Sequence, residues 1–222
     1  MSKYKRLFFY FAIPGLAISL AGCSGLLSPV NTPPIHYYQI SANLDQNATK
    51  SSESTAQNTT QASSKYTLFI TTLTANQPYS QSNMYYRQTP YQLSSYEQSQ
   101  WISSPNQMLT QTLTQYLLND HQFGNVVSSN FIGYADYRLT GNLNQLIQKA
   151  QQGAEPIVFL SVTYTLTNAA TGKIIDSKTF RLQTPSKASA ASFADSANTL
   201  SNKLVSNVGQ WLSRSLKAPH ST

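Results

Sequence analysis

The chain has 222 residues, enough for one sizeable domain with a leader and a linker. Its formal charge is +7, about +4 once Lys3, Lys5 and Arg6 are set aside, and no dense Lys/Arg patch accompanies it, which argues against a nucleic-acid partner. Only 10% of residues are charged while 40% are hydrophobic, so a core can form but Ser, Thr, Asn and Gln must supply most of the polar surface.

Lys3, Lys5 and Arg6 precede an apolar run from Leu7 to Leu20. This is the pattern of a secretory signal over 1–22, and Pro14 within the run disfavours a stable spanning helix. Leu20-Ala21-Gly22-Cys23 closes the run and resembles the lipobox of bacterial lipoproteins. In that motif the cysteine receives a diacylglyceryl group and an acyl chain such as palmitate, and becomes the first mature residue. The alternatives are an ordinary cleaved signal and an uncleaved anchor. Cys23 is the single cysteine, so no intramolecular disulfide competes for it. Several acyl chains at one residue anchor stably, since each buried methylene contributes about 0.8 kcal/mol. No other cofactor is expected.

Residues 23–34 read as a tether, broken by Pro29, Pro33 and Pro34. Residues 35–40, with His36-Tyr37-Tyr38, read as a short strand. From 41 to 64 the composition falls to Ser, Thr, Asn, Gln and Ala, too little apolar surface to offset ordering entropy, so a disordered insertion is expected. A single folded domain is expected over 65–217, followed by a tail over 218–222. Tyr66, Leu68 and Ile70 alternate on one face of a strand. Met84 to Arg87 and Tyr91 to Tyr96 read as a hairpin about Thr89-Pro90.

Ser104-Pro105-Asn106-Gln107 has the capping-box pattern, and Leu109, Leu113, Tyr116 and Leu117 form one apolar stripe on the helix that follows. That helix should fade near Asp120. Val126-Val127 begins another strand, and Tyr137, Leu139, Gly141 and Leu143 alternate in the next. Gly153 and Pro156 interrupt the chain before the clearest strand, Ile157 to Thr167. A turn over Asn168 to Gly172 returns Lys173 to Thr184 as the antiparallel partner, and Pro185 ends it. From Lys187 the pattern is helical through Phe193, Ala197, Leu200, Leu204, Val208 and Trp211, with Gly209 as a weak point. The fold class is mixed α/β: a largely antiparallel sheet with an internal helix and a long C-terminal helix packed on it.

Beyond the lipobox, the succession of features resembles the ABC-type transport auxiliary lipoproteins, the PqiC-like family. The matching stretches are Tyr37-Tyr38, Tyr86-Arg87, Tyr96 to Trp101 leading into Ser104-Pro105, and the Leu109, Leu113, Leu117 helix. Ala135-Asp136-Tyr137-Arg138-Leu139, Thr171-Gly172-Lys173 and Trp211-Leu212 complete the series. The segment Asn76 to Asn83 departs from the family's pattern. The resemblance implies a lipid-anchored protein on the periplasmic face of the outer membrane. It would be a non-catalytic accessory of a transporter whose periplasmic MCE protein moves lipid between membranes. Ser24 fits outer-membrane sorting, because it is not the aspartate that typically favours inner-membrane retention.

Chemistry is sparse. His36, His121 and His220 lack metal-ligand spacing, and no nucleophile elbow, P-loop or dinucleotide fingerprint is present, so neither a catalytic residue nor a metal site is expected. Asp136 reads as a turn or hydrogen-bonding residue. The other function classes are a structural or assembly lipoprotein of another envelope complex, such as a secretion apparatus, and, least favoured, an envelope hydrolase. Partner contact is expected at Tyr85, Tyr86, Arg87, Tyr91, Tyr96 and Trp101, since Tyr, Trp and Arg combine large apolar area with a directed polar group. The competing reading turns alternate members inward and gives Trp101 to the core. Surplus helix surface near Trp211 and Leu212 is expected to serve docking or a homo-oligomer, unless Trp211 caps the core.

Overall fold

The computed structural model describes residues 33–42, 64–128 and 133–217. The signal segment, Cys23, Ser24, most of the tether, nearly all of the 41–64 tract and the tail lie outside the described residues. The chain divides into Met1–Pro34 and a second unit, Ile35–Thr222, and everything below concerns the second.

The described residues of the second unit form nine strands and two helices. In order they are β1 (His36–Tyr38), β2 (Ser64–Ile70), β3 (Thr74–Ala75), β4 (Asn83–Arg87), β5 (Ser94–Trp101), α1 (Pro105–Asn119), β6 (Phe123–Ser128), β7 (Tyr137–Gln151), β8 (Ala154–Asn168), β9 (Ile174–Pro185) and α2 (Ala190–Lys217). The sheet is mixed and open. The long ladders, β7 on β8 and β8 on β9, are antiparallel. The other edge of β7 is shared end to end by β2, β3 and β4, all parallel to it. Beyond them β6 adds parallel to β2, β5 adds antiparallel to β4, and β1 adds parallel to β5.

One face of this sheet carries the core. Leu139 and Leu143 of β7 lie opposite Leu166 and Val162 of β8, and all four are buried. The expected alternation stops at Leu143 because the register shifts before Gln145. One extra residue there returns Leu146 to the inner face. Pro156 lies inside β8 rather than ahead of it. Its carbonyl accepts from Ser186 N–H at 2.8 Å, a bond that asks nothing of the missing proline donor. In β2, Leu68 and Ile70 are buried as expected, but Tyr66 is exposed and meets Tyr137 edge to face.

Helix α1 begins with Pro105 at its first turn and buries Leu109, Leu113 and Leu117. The capping box is not made. Ser104 stands at the N-cap with no side-chain cap bond. The first turn grips Leu73 instead: Asn106 Nδ2 donates to Leu73 O at 2.7 Å, and Leu73 N–H donates to Thr110 Oγ1 at 3.0 Å.

Helix α2 has no surplus. Its buried residues run from Ala190 to Ser215, nearly its whole 28 residues. Twenty-eight helical residues span about 42 Å, and a 15-residue strand such as β8 spans about 50 Å, so the long strands require a helix of this length. Trp211 is buried against Phe180, with ring centroids 6.0 Å apart, and caps the core rather than offering a docking surface. Gly209 is a packing position: a Cβ there would stand 3.0 Å from Tyr116 Cε1 of α1.

The end of α2 is clamped to β9 through one carboxylate. Asp176 Oδ2 accepts from Trp211 Nε1 at 2.6 Å and from Ser215 Oγ at 2.7 Å, and Oδ1 accepts from Ser177 N–H at 2.7 Å. The Ser215 hydrogen bond, opposed by burial and helped by Trp211, Ser177 and Lys178, lowers the Asp176 pKa. A carboxyl whose folded pKa lies below its unfolded value stabilises the fold above the unfolded pKa. That contribution is lost as pH falls through the folded value. Asp176→Asn should therefore lower stability at neutral pH by about 1–2 kcal/mol and flatten the loss of stability below about pH 4, both read from urea titrations across pH. At Gly141 a Cβ would come within 2.6 Å of Leu73 Cδ2 and 2.7 Å of Thr163 O. Gly141→Ala should cost about 1–3 kcal/mol by overpacking, read from the same titrations.

Candidate functional site on the β4–β5 hairpin

The predicted contact residues fall on one hairpin, and the period of the strand divides them. Tyr86 pairs with Gln148 and Arg87 with Lys149, so successive residues of β4 face opposite sides of the sheet. Met84 and Tyr86 take the inner face, where Met84 is fully buried. Tyr85 and Arg87 take the outer face.

Tyr96 is tied inward with Tyr86. Their rings lie 4.9 Å apart, and Tyr96 OH donates to Gln148 Oε1 at 2.6 Å. The Gln148 amide donates in turn to Ser186 Oγ and to Lys187 O, each at 2.7 Å. This polar latch holds β5, β7 and the β9–α2 connection together. Burial, with a smaller contribution from Tyr86, raises the Tyr96 phenol pKa. Trp101 is 1% exposed and packs edge to face on Phe193 of α2 at 5.4 Å. Trp101 is thus a core residue with no contact surface to offer, and Tyr86 and Tyr96 serve the latch.

Tyr91 is the opposite case. It sits in the hairpin connection, fully exposed, with φ of 69°. A left-handed backbone costs a non-glycine residue roughly 1–2 kcal/mol, and a large aromatic ring held there in solvent contributes nothing to packing.

The outer face of the sheet is polar along most of its length. Asn142 Nδ2 donates to Asn76 Oδ1 and to Asn144 Oδ1, both at 2.9 Å, and Asn144 Nδ2 donates to Thr163 Oγ1 at 2.9 Å. Thr163 and Thr179 hydroxyls are 2.9 Å apart, and those of Thr165 and Ser177 are 3.0 Å apart. At the hairpin end this face turns aromatic and basic. Tyr79, buried, meets Tyr85 edge to face at 6.2 Å, and Lys149 Nζ stands 4.0 Å from the Phe159 ring centre. Burial raises the Tyr79 pKa, with Arg87 opposing it and Tyr85 adding to it. Tyr79 comes from the Asn76 to Asn83 segment, and sequence reasoning passed it over because a lone tyrosine in a loop carries no period.

Little else has chemistry to offer. Among the described residues no three His, Cys, Asp or Glu side chains are grouped as metal ligands. Asp136 Oδ2 accepts from Thr67 N–H at 2.8 Å and fastens β2 to the start of β7. A groove of about 490 Å³ between α1 and the end of β6 is lined by Thr72, Gln107, Thr110, Gln111, Thr114, Gln115 and Ser128, none of them titratable. No described helix is long and apolar enough to cross a membrane.

Residues 49–209 match the family described as the ABC-type transport auxiliary lipoprotein component. No curated protein matches the chain. Among solved structures, a protein of family DUF330 from Xanthomonas campestris is similar with a TM-score of 0.65 and 14% identity, covering 82% of this chain and 95% of that one. An uncharacterized protein aligns with a TM-score of 0.61 and 14% identity, covering 81% and 99%. The dodecameric PelC of Paraburkholderia phytofirmans is more distant, with a TM-score of 0.40 and 17% identity over 64% of this chain and 87% of that one. At these identities the likeness is one of fold.

The strain at Tyr91 gives a direct test of what that residue is for. Tyr91→Gly relieves the left-handed backbone and should leave stability unchanged or raise it by about 1 kcal/mol. Thermal unfolding of the two proteins measures this, and a clear loss would assign the ring to packing.

Proposed function

The chain belongs to the family of ABC-type transport auxiliary lipoprotein components, and from that membership we propose that it is the lipid-anchored accessory of an MCE-type lipid transporter. It acts without catalysis, on the periplasmic face of the outer membrane. Cys23 carries the anchor and Ser24 leaves it free to sort outward. The observation that carries the reading is the conjunction of the family match over 49–209 with Leu20-Ala21-Gly22-Cys23 upstream of it. Each alone is weaker: a lipobox occurs on proteins of every envelope task, and a family domain without an anchor has no fixed membrane.

Contact with the periplasmic partner is made by the tip of the β4–β5 hairpin. Tyr91 supports this by being exposed and conformationally strained at once. Strain of that kind persists where surroundings hold it or where the side chain is used, and among the described residues nothing packs on this ring. Tyr85 flanks the tip on the outer face.

Cell envelopes carrying the protein with an affinity tag, solubilised in mild detergent, test both parts. The wild type should bring down an MCE protein and fractionate with the outer membrane. Cys23→Ser should remain unprocessed and leave that fraction, while Tyr91→Ala should keep its membrane and lose most of the partner. Recovery of secretion-system components in place of an MCE protein would refute the assignment.

A further inference from the structure

Arg87 and Lys149 are held directly opposite one another on adjacent strands, β4 and β7. Like charges so placed repel and destabilise a sheet, and both side chains are half-buried. Across such an interface a carboxylate is the usual remedy, but among the described residues none pairs with either cation. Arg87 Nε is also buried, and among the described residues it has no acceptor. Leaving a charged donor buried and unsatisfied is among the costlier faults a fold can carry. Burial, and then Arg87, push the Lys149 ammonium pKa down, in keeping with two cations that lack a counter-charge.

The surroundings are selective. Lys149 Nζ sits over Phe159, and on the same end of the outer face Tyr85, two residues before Arg87 on β4, meets the buried Tyr79 edge to face. An anion from outside would satisfy both cations. A guanidinium presents a planar fork that fits two oxygens of one oxyanion, and an ammonium adds a point charge. The half-buried rings of Tyr85 and Phe159 give an adjoining apolar wall, with buried Tyr79 behind Tyr85.

We propose that Arg87 and Lys149 form a binding site for a phosphate group, with Tyr85 and Phe159 flanking whatever the phosphate is attached to. The phosphate belongs to a lipid headgroup or is free in solution, and the chemistry of recognition is the same. The site stands on the geometry of the outer face and does not depend on which transporter the protein serves.

The test uses the full chain in a non-ionic detergent. Dihexanoyl phosphatidylglycerol, kept below its micelle-forming concentration, and inorganic phosphate are titrated separately while the nitrogen NMR signal of the Arg87 side chain is followed. Dihexanoylglycerol, which lacks phosphate, is the control. A saturable shift of the Arg87 signal is expected, with affinity about tenfold or more weaker in Arg87→Gln and in Lys149→Gln and no shift from the control. Tighter binding of the lipid than of phosphate identifies a headgroup as the source, and equal binding identifies free phosphate; either supports the site. Lys149→Met should raise the thermal midpoint of the ligand-free protein while abolishing binding, a pairing that a merely structural lysine would not produce. No saturable shift with either probe, or unchanged affinity in both glutamine variants, overturns the proposal. Partner capture through Tyr91 is read in a different assay, so either idea fails without the other.

Discussion

Strand β7 pairs with β8 along almost its entire length, which leaves one edge to be divided among β2, β3 and β4. Because side chains alternate along a strand, that one pairing decides the fate of residues far apart in the chain. Leu139, Leu143 and Leu146 go inward under the helices. Asn142, Asn144 and Lys149 go outward. Each short strand takes its own two faces from the segment of β7 it meets. Tyr86 and Arg87, neighbours in sequence, therefore enter the latch and the cation pair respectively. Gly141 guards the arrangement, since the space a side chain would fill there is occupied by Leu73 and Tyr164.

Side chains with complete sets of partners hold the helices to this frame. Asp176 fixes the end of α2 to β9, and Gln148 joins three segments at its beginning. Asn198 does the same for the segment that follows β1. Its Oδ1 accepts from Ser41 N–H at 2.9 Å and its Nδ2 donates to Gln39 O at 2.8 Å, so one amide satisfies the backbone on both sides of buried Ile40. The cations of the outer face stand apart from this economy. Among the described residues Arg87 and Lys149 have no anionic partner, while few other buried polar side-chain atoms lack a hydrogen bond.

Much of the frame was legible in the sequence because it is periodic. The alternation in β8, the leucine stripe of α1 and the apolar face of α2 each repeat often enough to identify an element and its buried side. The fold class followed from their order, and the family from the same stretches. Single events were harder to see. The β7 register shift is one inserted residue, invisible to a period-2 search that simply stops at Leu143. The first turn of α1 used its polar side chains on Leu73, a residue more than thirty positions away, rather than on its own amides. Gly209 and Trp211 depended on what lay across the helix. The contact residues were chosen by type, which cannot separate exposed Tyr91 from buried Trp101, or Arg87 from Tyr86 without the pairing of β4.

We infer that the two sides of the sheet have divided tasks, one for the core and the other, with the hairpin tip, for contact. A photoreactive benzoylphenylalanine placed in living cells at Tyr91, on the hairpin tip, or at Lys203, on the exposed side of α2, measures this directly. The account predicts a covalent adduct with another envelope component from Tyr91 and none from Lys203. Adducts from Lys203 with none from Tyr91 would contradict it and place the working surface on the helix.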